Sequence, residues 1–218
     1  MSERRAALFD LDRTLVRRET ASLYVRHLRA LGEATWRDTA RAAWWVAQYT
    51  AGVIDAPRIA TEALAAYRGM PEIALAARCD DWVRREVVPH VSDEARRAVQ
   101  RHRERGDLTA IVTGASPYVA WPIARLLGIE HVVATEFEVV DHRFTGRPRL
   151  PLCYGEGKVE LAARLAAAEG FRLDEAVFYT DSYTDLPLLL AVAEPIVVNP
   201  DLRLGREARR RGWPVERW

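Results

Sequence analysis

The chain has 218 residues, of which 49% are apolar and 29% charged, and its 32 basic and 31 acidic side chains leave a formal net charge of +1. This composition indicates a globular protein, either one large domain or a core with a smaller insert, and excludes a disordered or fibrous chain. A net charge near zero argues against a nucleic-acid binder, which typically has a basic excess. Two cysteines are too few for a disulfide framework, so we expect a reducing, cytoplasmic location.

No segment of the sequence predicts export or membrane insertion. Two arginines precede only four apolar residues, 6–9, which is too short for the apolar part of a signal peptide. The uncharged stretch over residues 42–54 spans 13 positions, whereas a membrane-spanning helix needs roughly 17 to 25. We therefore expect no integral membrane segment.

The first half of the chain predicts one strand followed by helices. A short apolar run over residues 5–9 predicts a buried strand that ends at Asp10. Residues 20–105 then show apolar spacing near 3.6 residues, without a strand. The predicted helices cover residues 20–31, 35–52, 56–67, 71–86 and 92–105, with breaks at Gly32, Gly52, the segment 69–71 and Pro89.

The second half alternates short β-rich runs with helices. Such alternation predicts parallel strands joined by right-handed crossovers. We therefore expect an α/β core formed by residues 1–15 and 95–218, with a helical domain inserted over residues 16–94. The predicted strands are 108–112, 131–135, 176–180 and 195–198, the helices are 117–127, 157–169, 184–193 and 201–211, and residues 137–140 and 143–145 could form a hairpin.

Polar residues follow the predicted strands at the edge where open parallel sheets bind ligands. Carboxylates that converge there would repel one another unless a cation lay between them, and oxygen ligands suit Mg²⁺. A hydroxyl, a backbone N–H at a glycine and an ammonium group are suited to binding a phosphate dianion. The pattern thus predicts a metal and phosphate site, and its residues are Asp10, Asp12, Thr113, Gly114, Lys158, Asp181 and Asp185.

Lys158 is the single lysine among the 32 basic residues. A lysine ammonium is a compact point charge, whereas the arginine guanidinium is a planar fork. The retention of one lysine therefore indicates a contact in a confined site that arginine would make less well.

Four segments resemble the four motifs of the haloacid dehalogenase (HAD) superfamily of phosphohydrolases, in the same order and predicted context. They are Asp10-Leu-Asp12-Arg-Thr14, Ile-Val-Thr113-Gly114, Lys158 and Tyr-Thr-Asp181-Ser-Tyr-Thr-Asp185. The resemblance implies a Rossmann-like HAD core with a parallel sheet. The helical insert is similar to the C1 cap of this superfamily, and the segment 198–214 is similar to the phosphoserine-phosphatase-like subfamily IB.

The resemblance also implies a role for each motif residue. Asp10 would be the nucleophile that becomes an aspartyl-phosphate, and Asp12 the general acid and base. Asp10, the Asp12 carbonyl and Asp181 would hold Mg²⁺, with Asp185 in or behind its coordination shell. Because Asp12 marks the phosphatases of this superfamily, a dehalogenase is disfavoured.

The remaining motif residues are implied to contact the substrate. Thr113, the Gly114 amide and Lys158 would bind the phosphoryl oxygens. Thr184 precedes the last motif aspartate, where asparagine is usual, and is expected to contact the substrate.

The expected substrate is a small amine-bearing phosphomonoester such as phosphoserine. Glu19 lies where phosphoserine phosphatases carry a glutamate that meets the substrate ammonium. However, residues 61–66 lack the arginine expected to hold a substrate carboxylate, and Arg58 or Arg68 could take its place.

The sequence leaves three further functions open. Hydrolysis of histidinol phosphate, which has an amine without a carboxylate, fits the pattern as well. A lipid phosphate is a possible substrate if Trp44 and Trp45 touch a membrane surface. A phospho-ligand-binding module without turnover is disfavoured by intact Asp10 and Asp12. The sequence does not predict the oligomeric state.

Overall fold

The computed structural model describes residues 5–51 and 56–218, without the side chains of residues 42, 45–47 and 49–51. Gly52, one of the predicted helix breaks, lies outside the described residues. The described strands are β1 (Ala6–Phe9), β2 (Leu108–Thr113), β3 (His131–Ala134), β4 (Phe137–Val140), β5 (Arg143–Pro148), β6 (Val177–Thr180), β7 (Glu194–Val198) and β8 (Val215–Glu216). The described α-helices are α1 (Thr20–Ala30), α2 (Trp36–Ala51), α3 (Ala56–Leu64), α4 (Glu72–Trp82), α5 (Asp93–Glu104), α6 (Pro117–Leu127), α7 (Glu156–Glu169), α8 (Leu186–Ala191) and α9 (Leu202–Arg211).

Six strands form one parallel sheet in the order β3-β2-β1-β6-β7-β8, and β4 pairs with β5 in a separate antiparallel hairpin. Every residue of β1, β2 and β6 is buried, because helices cover both faces of the sheet. The predicted parallel α/β core and the hairpin are therefore present.

The two faces of the sheet pack against different helices. Ala7 and Phe9 join a cluster with α5 and α6, whereas Ala6 and Leu8 join a second cluster with α7, α8 and α9. This division follows from the strand period of two residues, which points alternate side chains to opposite faces. Fully burying a leucine or phenylalanine contributes about 1.5 to 3 kcal/mol, so both faces hold β1 firmly in place.

Helices α1 to α4 lie between β1 and β2 in the chain, as the sequence predicts for the insert. Trp82 of α4 packs into the cluster that contains Phe9, and Leu75 and Cys79 pack against Phe144 of the hairpin. The backbone N–H of Glu72 donates to the His142 carbonyl (2.9 Å). The insert thus contacts both the core and the hairpin. Helix α5 begins at Asp93, so the limit predicted at residue 94 lies within its first turn. The limits of the insert at residues 16 and 94 remain a proposal.

Three predicted helices are shorter than expected. Helix α4 ends at Trp82 and continues as a π-helical turn over Val83–Val87 and a 3₁₀ turn over Val88–His90. Pro89 lacks an N–H and restricts the residue before it, which disfavours a regular α-helix at this point. The predicted helix 56–67 likewise ends at Leu64 in a 3₁₀ turn.

The predicted helix 184–193 is a 3₁₀ turn over Tyr183–Asp185 followed by the short α8. Pro187 stands in the first turn of α8, a position where a missing N–H has no cost. Strand β8 was not predicted, because two residues are too short to show an alternating pattern. No described helix is long and apolar enough to cross a bilayer.

Candidate active site

Asp10 is the first residue after β1, and it lies at the carboxyl edge of the sheet. Its backbone N–H donates to the Tyr179 carbonyl of β6 (2.8 Å), so the pairing of β1 with β6 fixes its position. The side chain is buried, and Oδ1 accepts a hydrogen bond from Lys158 Nζ (2.9 Å). Burial raises the pKa of Asp10 to about 7; Lys158 opposes this rise, and the negative charge of Asp185 adds to it.

Lys158 connects two of the motif carboxylates. Its Nζ donates to Asp10 Oδ1 and to Asp185 Oδ2 (2.7 Å), and the residue is only 1% exposed. The preceding Gly157 permits this placement, because a Cβ there would lie 2.2 Å from the Leu152 carbonyl oxygen. The first turn of α7 can therefore approach the loop closely enough to bring the ammonium to the sheet edge.

Asp185 is held by two donors on one oxygen. Oδ2 accepts from Thr180 Oγ1 (2.6 Å) as well as from Lys158. Oδ1 is buried and has no hydrogen-bond partner among the described residues. Asp185 thus orients Lys158 and keeps one oxygen available to a further donor.

Asp181 follows β6 and is 5% exposed. Burial and the charge of Asp10 raise its pKa well above the usual range, and Arg13 opposes this. Arg13 Nε lies 3.4 Å from Asp181 Oδ2. A buried carboxylate with a raised pKa beside another carboxylate is a position that a cation would stabilise.

Asp12 and Glu19 lie next to each other at the start of α1. Asp12 Oδ1 accepts from the backbone N–H of Thr20 (2.7 Å), which draws the preceding Glu19 toward Asp12. Burial and the charge of Glu19 raise the pKa of Asp12 to about 7. Burial also raises the pKa of Glu19, while Arg13 lowers it. Asp12 therefore has a pKa suited to exchanging a proton near neutral pH.

Thr113 ends β2 and is 1% exposed. Its Oγ1 accepts from the Ala115 N–H (3.1 Å), which leaves the hydroxyl hydrogen able to donate elsewhere. Gly114 follows in the loop that leads to α6. Nearby, Cys153 is fully buried, and its burial raises the thiol pKa to about 12. Cys153 is therefore a packing residue beside the site.

Three further residues predicted to contact the substrate are Thr184, Arg58 and Arg68. The Thr184 hydroxyl lies 2.9 Å from Ser182 Oγ, within its own loop. Arg58 forms an ion pair with Glu62 along the exposed side of α3. Arg68 packs over Gly146 of β5, where a Cβ would lie 3.2 Å from the Arg68 Cβ. The role of either arginine in binding a substrate carboxylate stays a prediction.

Sequence reasoning gave no role to three residues at the site edge, Arg13, Asn199 and Asp201. Arg13 contacts Asp181, and the Arg13 carbonyl accepts from Asn199 Nδ2 (3.3 Å). Asp201 Oδ2 accepts from the N–H of Tyr183 (2.7 Å), and the N–H of Asp201 donates to the Asp181 carbonyl (2.9 Å). An aspartate before a helix is a visible capping signal, but nothing in the sequence shows that it also bonds the catalytic loop.

The donor set of the site fits Mg²⁺. In the described part of the site, the carboxylates outnumber the two cations Lys158 and Arg13. The carboxylates are Asp10, Asp12, Glu19, Asp181 and Asp185. No three His, Cys, Asp or Glu side chains among the described residues converge on one ion. Mg²⁺ in phosphoryl-transfer sites typically uses one or two carboxylates, with waters and substrate phosphate. Asp10 and Asp181 meet that requirement.

The model of the haloacid dehalogenase-like hydrolase family matches residues 7–190. The chain belongs to this family. The match spans the strands that carry the first and last motifs as well as the helical insert, so the HAD fold predicted for the chain is confirmed.

Curated relatives of this HAD protein cover nearly the whole chain. It is 31% identical to a histidinol-phosphatase from Neisseria meningitidis over 96% of each protein. It is 34% identical to phosphoserine phosphatase SerB1 from Mycobacterium tuberculosis over 96% of this chain and 70% of the relative. The predicted enzyme class, a phosphatase, is therefore confirmed.

A solved structure supports the same assignment of the fold. A protein of unknown function from Bordetella pertussis superposes on this HAD chain with a TM-score of 0.87 and 35% identity, over 99% of both chains. The secondary-structure elements are thus arranged alike in the two proteins.

Proposed function

We propose that this protein hydrolyses phosphomonoesters with Mg²⁺ through a phosphorylated Asp10. The observation that carries the proposal is the Lys158 ammonium held between Asp10 (2.9 Å) and Asp185 (2.7 Å) in a buried site. This cation lies within reach of any phosphoryl group bound by Asp10. A bound phosphate would meet positive charge on one side and the nucleophile on the other.

In the proposed first step, an Asp10 oxygen attacks phosphorus and the bond to the leaving oxygen breaks. Asp12 gives its proton to that oxygen, so the leaving group departs as an alcohol. Asp10, Asp181 and the Asp12 carbonyl would hold Mg²⁺, and the ion would neutralise charge on the phosphoryl oxygens. The raised pKa of Asp12 suits this role, because the group carries a proton near neutral pH in part of the molecules.

In the second step, Asp12 takes a proton from water, and the water oxygen attacks phosphorus. The bond between Asp10 and phosphorus breaks, which releases phosphate and restores the Asp10 carboxylate. Lys158, the Thr113 hydroxyl and the Gly114 amide would stabilise the charge on the phosphoryl oxygens in both steps. Asp185 orients Lys158 rather than contacting the substrate.

The finer proposal is that the leaving group bears an amine, with phosphoserine as the first candidate. Glu19 supports this, since it is partly buried beside Asp12, where the leaving group departs. A carboxylate in this position could accept hydrogen bonds from an ammonium group. A second candidate is an amine without a carboxylate, such as histidinol phosphate. It is supported by the name of the Neisseria relative.

A lipid phosphatase and a binding module without turnover have less support. Trp44 is exposed, as a lipid contact would require, but the side chain of Trp45 lies outside the described residues. A binding module does not explain why the raised pKa of Asp12 suits proton transfer. We therefore retain the phosphatase proposal.

Hydrolysis of p-nitrophenyl phosphate with and without Mg²⁺ tests the general function. We expect turnover that is lost in excess chelator and restored by Mg²⁺, and abolished in Asp10→Asn. Asp174→Asn is a matched control, because Asp174 is exposed and pairs with Arg172. Full activity after exhaustive chelation, or in Asp10→Asn, would refute the proposal. Beryllofluoride should also bind at Asp10 as a phosphoryl mimic in the wild type and not in Asp10→Asn.

Glu19→Gln tests the amine proposal. With phosphoserine or histidinol phosphate, we expect kcat/KM to fall by a factor equivalent to about 1 to 3 kcal/mol, the usual range for a lost charge-assisted hydrogen bond. With p-nitrophenyl phosphate, which has no amine, kcat/KM should change little. An equal loss on all substrates would assign Glu19 to the chemistry or the fold instead.

A further inference from the structure

Arg13 has an unusual backbone conformation at the edge of the site. Its φ is 56°, in the left-handed region that residues other than glycine rarely adopt. The Arg13 carbonyl accepts from Asn199 Nδ2 (3.3 Å), and Asn199 Oδ1 accepts from the Trp218 N–H (3.0 Å). The segment after β7 thus helps to hold the backbone of Arg13, which restricts where its side chain can reach.

The Arg13 side chain points toward the carboxylates while part of it stays accessible. Nε lies 3.4 Å from Asp181 Oδ2, and the side chain is 37% exposed. A guanidinium has five N–H donors. The ion pair with Asp181 involves Nε. Further donors can therefore meet a molecule that enters the site.

The carboxylate of Glu19 lies close enough to Arg13 for the two charges to interact. Asp12 Oδ1 accepts a hydrogen bond from the Thr20 N–H (2.7 Å). Arg13 follows Asp12 and Glu19 precedes Thr20, so this hydrogen bond brings the two residues close together. The charge of Arg13 acts on Glu19, whose pKa it lowers. The leaving group next to Asp12 would therefore face a positive and a negative side chain together.

We propose that Arg13 is a specificity-determining residue that binds a carboxylate on the leaving group, beside an ammonium bound by Glu19. This inference rests on the proposed function and narrows its substrate class to phosphate esters of amino acids. The two substituents of an α-amino acid share one carbon, which matches two adjacent side chains of opposite charge. A planar guanidinium can also donate two parallel hydrogen bonds to a carboxylate. Arg13 would thus take the role that the sequence left to Arg58 or Arg68.

The test compares L-phosphoserine with O-phosphoethanolamine, which differ only by the carboxylate. The quantity measured is the ratio of their kcat/KM values. Arg13→Asn removes the charge, and asparagine tolerates the left-handed backbone. We expect this ratio to fall about tenfold or more, as for the loss of a charge-assisted hydrogen bond. A loss caused through Asp181 would affect both substrates and cancel in the ratio.

Two further variants sharpen the comparison. Arg13→Lys should restore part of the ratio, because it returns the charge without the planar fork. Arg17→Asn is the matched control for loss of a nearby positive charge, since Arg17 is exposed and pairs with Glu94. It should leave the ratio unchanged. Thermal unfolding of each variant shows whether it is folded.

Each result decides between the inference and the function on which it rests. A folded Arg13→Asn with an unchanged ratio would overturn the role of Arg13, as would a wild type that does not prefer phosphoserine. A preference for histidinol phosphate over both compounds would also overturn it, while the amine proposal stands. Turnover of p-nitrophenyl phosphate with neither amine ester would overturn the amine proposal and this inference together, while the phosphatase function stands.

Discussion

Lys158 shows how much depends on a single residue at this site. It is buried between Asp10 and Asp185, so its charge acts on both carboxylates at short range. We expect Lys158→Ala to lower kcat/KM by orders of magnitude on every phosphomonoester, because the phosphoryl group is common to all of them. Steady-state kinetics on p-nitrophenyl phosphate and on an amine ester measure this loss.

The arginine variant separates charge from shape at the same position. Lys158→Arg should recover little activity, because a planar fork does not fit between two carboxylates that a compact ammonium fills. Circular dichroism and thermal unfolding show whether each variant is folded, since loss of a buried cation also destabilises the protein. Near wild-type kcat/KM in a folded Lys158→Arg would contradict the assignment.

Helix caps show what the sequence determines at the scale of elements. Ser92 precedes α5, and its Oγ accepts from the Ala95 N–H (2.9 Å) in a buried position. Ser116 occupies the same place before α6, yet its side chain makes no capping hydrogen bond. Identical residues at equivalent sequence positions therefore contribute differently to helix stability.

Ser92→Ala should lower the free energy of unfolding by about 0.5 to 2 kcal/mol, the usual cost of a lost N-cap. Ser116→Ala is the internal control and should change this free energy by much less, because no capping bond is lost. Urea unfolding of both variants at equal protein concentration gives the comparison. Equal destabilisation would show that the cap of α5 does not act as described.

At the scale of the whole molecule, His102 connects helix α5 with the start of β2 and with β6. It lies on α5, and its Nδ1 is 2.7 Å from Asp107 Oδ2, just before β2. Its Nε2 is 2.9 Å from the hydroxyl of Tyr179 in β6. Burial lowers the pKa of His102 below its ordinary value of 6.5. The neutral ring is therefore the form that the folded protein favours.

This pKa predicts a pH dependence of stability. Because the folded-state pKa of His102 lies below its unfolded-state value, the unfolded chain binds more protons as the pH falls below about 6.5. The contribution of His102 is thus full above pH 6.5 and decreases on acidification. His102→Gln should show a smaller decrease in the free energy of unfolding between pH 7 and pH 5 than the wild type. The control His142→Asn lies at an exposed turn position with a φ of 60°, which asparagine tolerates, and should show the same decrease as the wild type.

The active site itself belongs to the whole-molecule scale. Its residues come from the ends of β1, β2 and β6, the first turn of α7 and the start of α1. Periodicity and strand ends were local signals, and they located Asp10, Thr113 and Asp181 at one edge of a sheet. The parallel sheet, the hairpin and the helical insert were predictable for the same reason, because alternating burial and helical spacing are written in neighbouring residues.

The contacts between these residues were decided only by the tertiary structure. Lys158 meets Asp10 across 148 positions of sequence, at a distance that depends on the close approach at Gly157. Asn199 bonds Arg13 across 186 positions. Sequence patterns report which face of an element is buried, whereas an ion pair depends on how two elements pack in space. For that reason the sequence by itself determined the fold class and the motif carboxylates, and the tertiary structure decided which cation stands beside Asp10, Asp181 and Asp185.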